Sequence, residues 1–203
     1  AQGQPVAYLT GEREFWGLSL ATSPSTLIPR PDTETLVDVV LARAKALSGR
    51  LLDLGTGTGA IALAFASERP MWQVIGVDVR PEAVSLATHN AQTLHIANAT
   101  FLLSDWFASL GVPPDGDAFD IIVSNPPYIA ADDPHLSEGD VRFEPRSALV
   151  AEGDGMADLM HLIIAAQAFL SPGGWLALEH GYQQAACVRQ ALMQAGYQNV
   201  ESV

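Results

Sequence analysis

From Arg50 onward, short apolar runs alternate with longer amphipathic stretches. This alternation is typical of a mostly parallel sheet that helices cover on both faces, so we predict an α/β fold. The predicted strands are Arg50–Leu54, Gln73–Asp78, Thr100–Ser104, Phe119–Ser124, Gly174–Glu179 and Asn199–Val203. The predicted helices are Thr33–Leu47, Ala60–Ser67, Pro81–Leu94, Met156–Leu170 and Gln183–Ala195.

The residues before Arg50 follow a different pattern. Two segments, Val6–Leu9 and Glu14–Leu20, flank the turn-like sequence Thr10–Arg13, which predicts a β-hairpin. We expect residues 1–32 to form this hairpin and a linker, and residues 33–203 to form the main domain. The sequence starts at Ala1 and stops inside a predicted strand, so we expect a fragment whose main domain is truncated at its C-terminus.

Composition excludes several classes of protein. A length of 203 residues fits one domain with an appendage, and there is neither an apolar run long enough to span a membrane nor a secretory signal. The single cysteine, Cys187, cannot form an internal disulfide, and the histidines show no metal-ligand spacing, so we expect a reducing cytoplasm and no metal. A net charge of −13 opposes binding to nucleic-acid phosphates, which disfavours a nucleic-acid substrate.

A glycine-rich turn joins the first predicted strand of the sheet to the helix that follows it. Gly55, Gly57 and Gly59, with Thr56 and Thr58 between them, allow the backbone to approach a ligand closely. At the end of the next predicted strand stands Asp78, whose carboxylate can accept hydrogen bonds from both hydroxyls of a ribose. The turn and this carboxylate together predict a nucleoside cofactor.

The same turn is compatible with two kinds of cofactor. Residues 55–60 fit the G-x-G-x-x-A form of the dinucleotide fingerprint, which keeps NAD open. With Asp53 in front, the turn also resembles the first motif of methyltransferases that use S-adenosyl-L-methionine, a ligand with a sulfonium and an ammonium but no pyrophosphate. An acidic pocket suits that ligand better. By the same resemblance, Asp105 would accept a hydrogen bond from the adenine amino group and Trp106 would pack against the base.

The segment after the fourth predicted strand of the sheet selects the chemistry. Asn125, Pro126, Pro127 and Tyr128 follow this strand directly, so Asn125 should face the same crevice as the glycine turn. Two successive prolines make the turn rigid and leave its carbonyls free to accept hydrogen bonds. The Asn125 oxygen and the Pro126 carbonyl can each accept one hydrogen of a planar NH2 group, beside an aromatic wall formed by Tyr128. This arrangement predicts methyl transfer to such a nitrogen by alignment, without a strong base.

Several motifs resemble those of known methyltransferases. Asn125–Tyr128 resembles the N/D-P-P-Y/F motif of enzymes that methylate exocyclic or amide nitrogens. Leu27–Glu34 resembles the I-P-R-P-E/D-T-E signature of the HemK family, and Gly11–Gly17 resembles the G-x-x-E-F-x-G/S hairpin of that family. Asp140–Pro145 and Glu179–Gly181 extend the likeness over essentially the whole chain.

This resemblance implies a Rossmann-like methyltransferase that modifies peptide-chain release factors. Members of the family move a methyl group from S-adenosyl-L-methionine to the side-chain amide nitrogen of the glutamine in the Gly-Gly-Gln motif of these factors. They also have an N-terminal helical domain that helps to bind the release factor, and a final antiparallel strand, and we expect this fragment to lack both. The resemblance further implies a monomer that works with its substrate protein.

Two other functions remain open on the sequence alone. A DNA or RNA adenine methyltransferase would share Asn125–Tyr128 but would need a basic recognition surface. An NAD-dependent oxidoreductase, or a noncatalytic nucleotide-binding module, would share the glycine turn. Two structural questions are also open. Arg30 could position Asn125 or the substrate loop, or it could simply be solvated. The acidic segment 132–158 could be a solvated loop or a lid that binds the substrate.

Overall fold

A computed structural model describes residues 3–114 and 117–203 of the chain. The strands are β1 (Glu12–Phe15), β2 (Leu18–Ala21), β3 (Arg50–Leu54), β4 (Gln73–Asp78), β5 (Ala99–Leu103), β6 (Phe119–Ser124) and β7 (Leu170–Leu178). The helices are α1 (Val6–Thr10), α2 (Glu34–Arg43), α3 (Ala60–Glu68), α4 (Pro81–Thr93), α5 (Glu152–Gly155), α6 (Ala157–Ala165) and α7 (Ala185–Gln194). No helix within these two ranges has the length and apolar character of a membrane span.

Strands β3 to β7 form one parallel sheet in the order β5-β4-β3-β6-β7. From β3 the chain moves outward through β4 and β5 on one side, and then through β6 and β7 on the other. The strand order therefore reverses between β3 and β6, and ligands of open α/β sheets bind in the crevice at such a point. The predicted α/β fold is confirmed, and the predicted bounds of β3, β4 and β6 match those of the structure.

Buried side chains cover both faces of the sheet. Along β3, Leu51 belongs to the same buried cluster as Val37 of α2 and Phe65 of α3. The next residue, Leu52, belongs to the cluster on the opposite face together with Leu162 of α6. Successive side chains of a strand point to opposite faces, so Leu51 and Leu52 pack on opposite sides of β3, which lies in the middle of a three-layer core.

The N-terminal hairpin forms, but not at the predicted place. Residues Val6–Thr10 are one helical turn, α1, instead of a strand. The hairpin consists of β1 and β2, and its turn is formed by Trp16 and Gly17, which both have positive φ (54° and 70°). Two-residue turns of this kind match the twist of the paired strands, which is why the chain reverses here and not at Thr10–Arg13.

The last predicted strand, Asn199–Val203, is wrong. Asn199 has a φ of 55°, in the left-handed region, which interrupts an extended backbone. Residues 197–203 instead line one side of a groove beside β7 and α2. The segment is held there by the Tyr197 hydroxyl, which donates to the Ile163 carbonyl at 3.0 Å, and by an ion pair between Arg43 and Glu201.

The other predicted elements are present with shifted ends. The predicted helix Met156–Leu170 ends earlier, as α6 followed by a short 3-10 turn. Strand β7 starts at Leu170 rather than Gly174, because the sequence between them is accommodated as an irregularity in the pairing with β6. The register resumes with Ile121 opposite Trp175, which aligns the ends of β6 and β7.

Candidate active site

The predicted site residues meet in a cavity of about 280 Å³ at the carboxyl ends of β3, β4 and β6. The predicted residues in its lining come from four separate segments of the chain. The predicted residues that line it are Gly55, Thr56, Gly57, Thr58, Asp78, Asp105, Trp106, Asn125 and Pro127. Gly59 lies behind the turn, where it is the N-cap residue of α3 and packs against side chains of the core.

The glycine turn leaves open backbone on the cavity side. Gly57 has a φ of 57°, and a Cβ atom built on it would meet nothing within 4 Å. The backbone N–H groups of Gly55 and Thr56 both donate to the Val77 carbonyl at 2.9 Å, which fastens the turn to β4. A ligand can therefore approach a turn whose conformation is already determined.

The Asp78 carboxylate is held in place by two backbone donors. Its Oδ2 accepts a hydrogen bond from Gly57 N–H at 2.9 Å, and its Oδ1 accepts one from Arg80 N–H at 2.9 Å. Burial raises the pKa of Asp78, and these two hydrogen bonds oppose that shift. A carboxylate has about four lone-pair positions, so both oxygens can still accept from hydroxyl groups of a ligand.

Asp53 is a fully buried carboxyl group beneath the same turn. The Thr56 hydroxyl donates to its Oδ2 at 2.6 Å, whereas Oδ1 has no hydrogen-bond partner among the described residues. Burial raises the pKa of Asp53 to about 7. A cationic ligand above the turn would favour the charged form of this group.

Trp106 lies beside the glycine turn in a constrained backbone conformation. It has a φ of 46°, and its carbonyl accepts a hydrogen bond from the Ser104 hydroxyl at 2.8 Å. A Cβ atom on Gly55 would lie 3.5 Å from the Trp106 ring, so the ring and the turn form adjoining walls of the cavity. Asp105 lines the cavity beside this ring.

The turn after β6 is anchored at both ends. Before it, the Ser124 hydroxyl donates to the Leu54 carbonyl at 2.7 Å, which ties β6 to β3. After it, the Tyr128 carbonyl accepts a hydrogen bond from Gln184 Nε2 at 3.0 Å. No donor reaches the Pro126 carbonyl within residues 3–114 and 117–203, so that oxygen is available to a ligand.

A second cavity, of about 150 Å³, adjoins the first one at Asn125. Pro126 and Tyr128 line it together with apolar side chains that include Leu27, Ile129 and Leu149. Asn125 lines both cavities. A cofactor in the larger cavity and a side chain in the smaller one would meet at Asn125, as a transfer between two ligands requires.

Sequence analysis missed three polar residues around this site: Thr33, Glu144 and Glu179. Asn125 Nδ2 donates to the Thr33 hydroxyl oxygen at 3.2 Å, and the Tyr128 hydroxyl donates to Glu179 Oε1 at 3.1 Å. All three lie within segments that carried the family resemblance, which was the available signal. Their partners lie far along the chain, and only the fold brings them together.

Arg30 is paired and not merely solvated. Its Nη2 lies 2.5 Å from Oε2 of Glu144, whose side chain has no exposed surface. The other Glu144 oxygen accepts a hydrogen bond from Ile28 N–H at 3.2 Å. Because Glu144 belongs to the acidic segment, this pair connects that segment to residues 28–30, and Arg30 itself lines both cavities.

One part of the acidic segment 132–158 lines the larger cavity, and another part is a solvent-exposed loop. Ser147 and Ala148 line the larger cavity, and Arg80 donates from Nη1 to the Ser147 hydroxyl at 3.2 Å. Asp132 and Glu138 are exposed.

Within the described residues no group of three or more His, Cys, Asp or Glu could hold a metal ion.

Comparison with known proteins gives consistent results. A family model described as a methyltransferase domain matches residues 47–201. The chain is 61% identical over 201 residues to the release factor glutamine methyltransferase of Salmonella typhimurium, covering 99% of this chain and 71% of that protein. It is 60% identical over 198 residues to the release factor glutamine methyltransferase of Vibrio cholerae serotype O1, covering 98% of this chain and 68% of that protein.

Solved structures support the fold. The crystal structure of a methyltransferase from Pyrococcus furiosus superimposes with a TM-score of 0.61 at 21% identity, covering 90% of this chain and 80% of that chain. At this identity the likeness concerns the fold alone. It agrees with the parallel sheet and with the position of the crevice.

Proposed function

Because the chain belongs to the family of release factor glutamine methyltransferases, we propose that it methylates the side-chain amide nitrogen of the glutamine in the Gly-Gly-Gln motif of peptide-chain release factors. The chain is a methyltransferase of release factor glutamine and uses a methyl donor of the S-adenosylmethionine type. We propose that the donor is S-adenosyl-L-methionine itself. We also propose that the chain works as a cytoplasmic monomer with its substrate protein.

The residues of the larger cavity fit this donor. The larger cavity is acidic because Asp78, Asp105 and Asp158 line it, which suits a ligand with a sulfonium and an ammonium. The buried Asp53 carboxyl group, which has one unpartnered oxygen, lies beneath the glycine turn. Asp78 would accept hydrogen bonds from the ribose hydroxyls, and Asp105 from the adenine amino group. Trp106 would pack against the adenine ring, and residues 55–58 would contact the rest of the ligand through open backbone.

The position of Asn125 between the two cavities is the observation that best supports the proposed chemistry. An amide nitrogen is a weak nucleophile because its lone pair is delocalised. The Asn125 side-chain oxygen and the free Pro126 carbonyl would each accept one hydrogen of the substrate NH2 group. This pair of hydrogen bonds orients the nitrogen toward the larger cavity and increases its electron density as the new bond forms.

The chain supplies alignment rather than a strong base. When bound, S-adenosyl-L-methionine provides an electrophilic methyl group on its sulfonium. The substrate amide proton leaves to water after the new C–N bond has formed, because the methylated nitrogen is then a far stronger acid. Tyr128 packs along the path of the substrate amide, and its hydroxyl is held by Glu179.

Transfer of a labelled methyl group tests this function. The chain is incubated with labelled S-adenosyl-L-methionine and one of three acceptors: a release factor, the same factor with its Gly-Gly-Gln glutamine changed to alanine, or duplex DNA. We expect label on the intact release factor alone. Label on DNA would favour the adenine methyltransferase, and saturable NADH binding without binding of S-adenosyl-L-methionine would favour the oxidoreductase.

A further inference from the structure

We propose that Glu179 and Thr33 are positioning residues that orient the side-chain amide of Asn125, so that its oxygen and not its nitrogen faces the substrate. This inference rests on the proposed function, because it assigns the groups that prepare Asn125 for the transfer. It concerns a chain of three polar side chains from three separate parts of the fold.

The fold brings these three residues together at the carboxyl end of the sheet. Glu179 follows β7, and its backbone N–H donates to the Ser124 carbonyl at 3.0 Å, next to Asn125. Thr33 lies in the 3-10 turn before α2 and is 4% exposed. Asn125 Nδ2 donates to the Thr33 hydroxyl oxygen at 3.2 Å.

The Glu179 carboxylate has one oxygen that needs a donor. Its Oε1 accepts the hydrogen bond from Tyr128, whereas Oε2 is buried and has no partner among the described residues. The Thr33 and Asn125 side chains lie beside the carboxylate and favour its charged form. Leaving a buried carboxylate oxygen unpaired is costly, so we expect the Thr33 side chain to shift until its hydroxyl donates to Oε2.

The direction of this hydrogen bond determines the orientation of Asn125. A carboxylate can only accept, and a hydroxyl has a single proton to donate. If Thr33 donates to Glu179, its oxygen can only accept from Asn125, which must then present its NH2 group. The Asn125 oxygen consequently points away from Thr33, where it can accept a hydrogen from the substrate amide.

The charge state of Glu179 is essential to this arrangement. Burial raises the pKa of Glu179, Asp32 raises it further, and hydrogen bonding with Thr33, Tyr128 and Asn125 lowers it. The neighbouring imidazole, His180, has its Nδ1 2.9 Å from the Gly181 carbonyl. A protonated Glu179 could donate to Thr33 and reverse the chain, which would allow Asn125 to turn its nitrogen to the substrate.

The variant Glu179→Gln tests this inference, because it keeps the shape and adds a donor. We expect kcat to fall by about 10- to 100-fold, with the dissociation constant of S-adenosyl-L-methionine unchanged within about twofold. The wild-type kcat should decrease at low pH as Glu179 becomes protonated, and the variant should lack that decrease. Thr33→Val should lower kcat similarly, and Thr33→Ser, which keeps the hydroxyl, should restore it.

Glu68→Gln is the matched control, since Glu68 is exposed at the end of α3 and lines neither cavity. Wild-type activity on the release factor, measured in parallel, separates failure of this inference from failure of the proposed function. NMR of the Asn125 side-chain NH2 gives a readout that needs no activity, and we expect its signals to shift in both Glu179→Gln and Thr33→Val. If the wild type is active and Glu179→Gln has the same kcat, the inference is overturned. Asn125 NH2 signals that do not shift in the two variants would overturn it as well.

Discussion

At the scale of the residue, the cofactor cavity contains carboxyl groups whose orientation is determined before any ligand binds. Asp78 accepts from the backbone of Gly57 and of Arg80, one donor on each oxygen. A group held in this way loses little freedom on binding, so more of its interaction energy contributes to affinity. We therefore propose that Asp78 connects the turn to the ligand.

Asp78→Asn should weaken binding of S-adenosyl-L-methionine. An asparagine has one acceptor oxygen, so its NH2 group would face either Gly57 N–H or Arg80 N–H, and one of these contacts would be lost. We expect the dissociation constant, measured by calorimetric titration, to rise about tenfold or more. Asp38→Asn, on the exposed side of α2, should leave it unchanged. Equal affinities in the two variants would contradict the role of Asp78.

Sequence reasoning was more informative about single positions than about pairs of positions. The end of a strand beside a glycine turn was sufficient to predict where Asp78 lies. It was not sufficient to predict the partner of Arg30, because Glu144 is 114 residues further along the chain and only the tertiary fold joins them. The hydrogen bond between Asn125 and Thr33 was missed for the same reason.

At the scale of the element, the central strands were predicted best. Strands β3, β4 and β6 are apolar runs bounded by turn residues, and burial on both faces leaves little freedom in their bounds. The hairpin turn and the predicted final strand were misplaced because they depend on residues with positive φ, Trp16 and Asn199. Such conformations are uncommon for these residue types, so composition does not reveal them.

The last residue of α5, Gly155, is packed against the turn that contains Asn125. Gly155 has a φ of 81°, and a Cβ atom built on it would lie 2.2 Å from the Tyr128 carbonyl oxygen. Gly155→Ala should therefore displace Tyr128, lowering Tm and reducing kcat by about tenfold or more. Thermal unfolding and initial rates measure the two effects.

Gly139→Ala is the control for backbone strain at Gly155. Gly139 also has a positive φ, of 50°, but a Cβ atom there would meet nothing within 4 Å. Its replacement should cost only about 1 kcal/mol of stability and leave kcat unchanged. If both variants behaved alike, strain alone would explain the effect and contact with Tyr128 would not.

At the scale of the whole molecule, a carboxyl group buried in the central strand of the sheet should make the stability of the fold depend on pH. Burial raises the pKa of Asp53 from 3.8 to about 7. Between these two values the folded state binds a proton at Asp53 more tightly than the unfolded state does. The free energy of unfolding must therefore decrease as pH rises through this range.

Asp53→Asn should remove this part of the pH dependence. Urea unfolding at about pH 5 and about pH 8 should show that the wild type loses more stability on going to the higher pH than the variant does. The other carboxyl groups are the same in both proteins, so their contributions cancel in the comparison. Equal losses would show that Asp53 does not titrate in this range in the folded state.

The central claim is that Asn125 aligns the substrate amide, and Asn125→Ala tests it most directly. The rate of methyl transfer to the release factor and the affinity for S-adenosyl-L-methionine are measured for the wild type and the variant. We expect kcat to fall by about 100-fold, with the dissociation constant of the cofactor changed by no more than about twofold. Comparable losses in rate and cofactor affinity, or an unchanged rate, would contradict the claim.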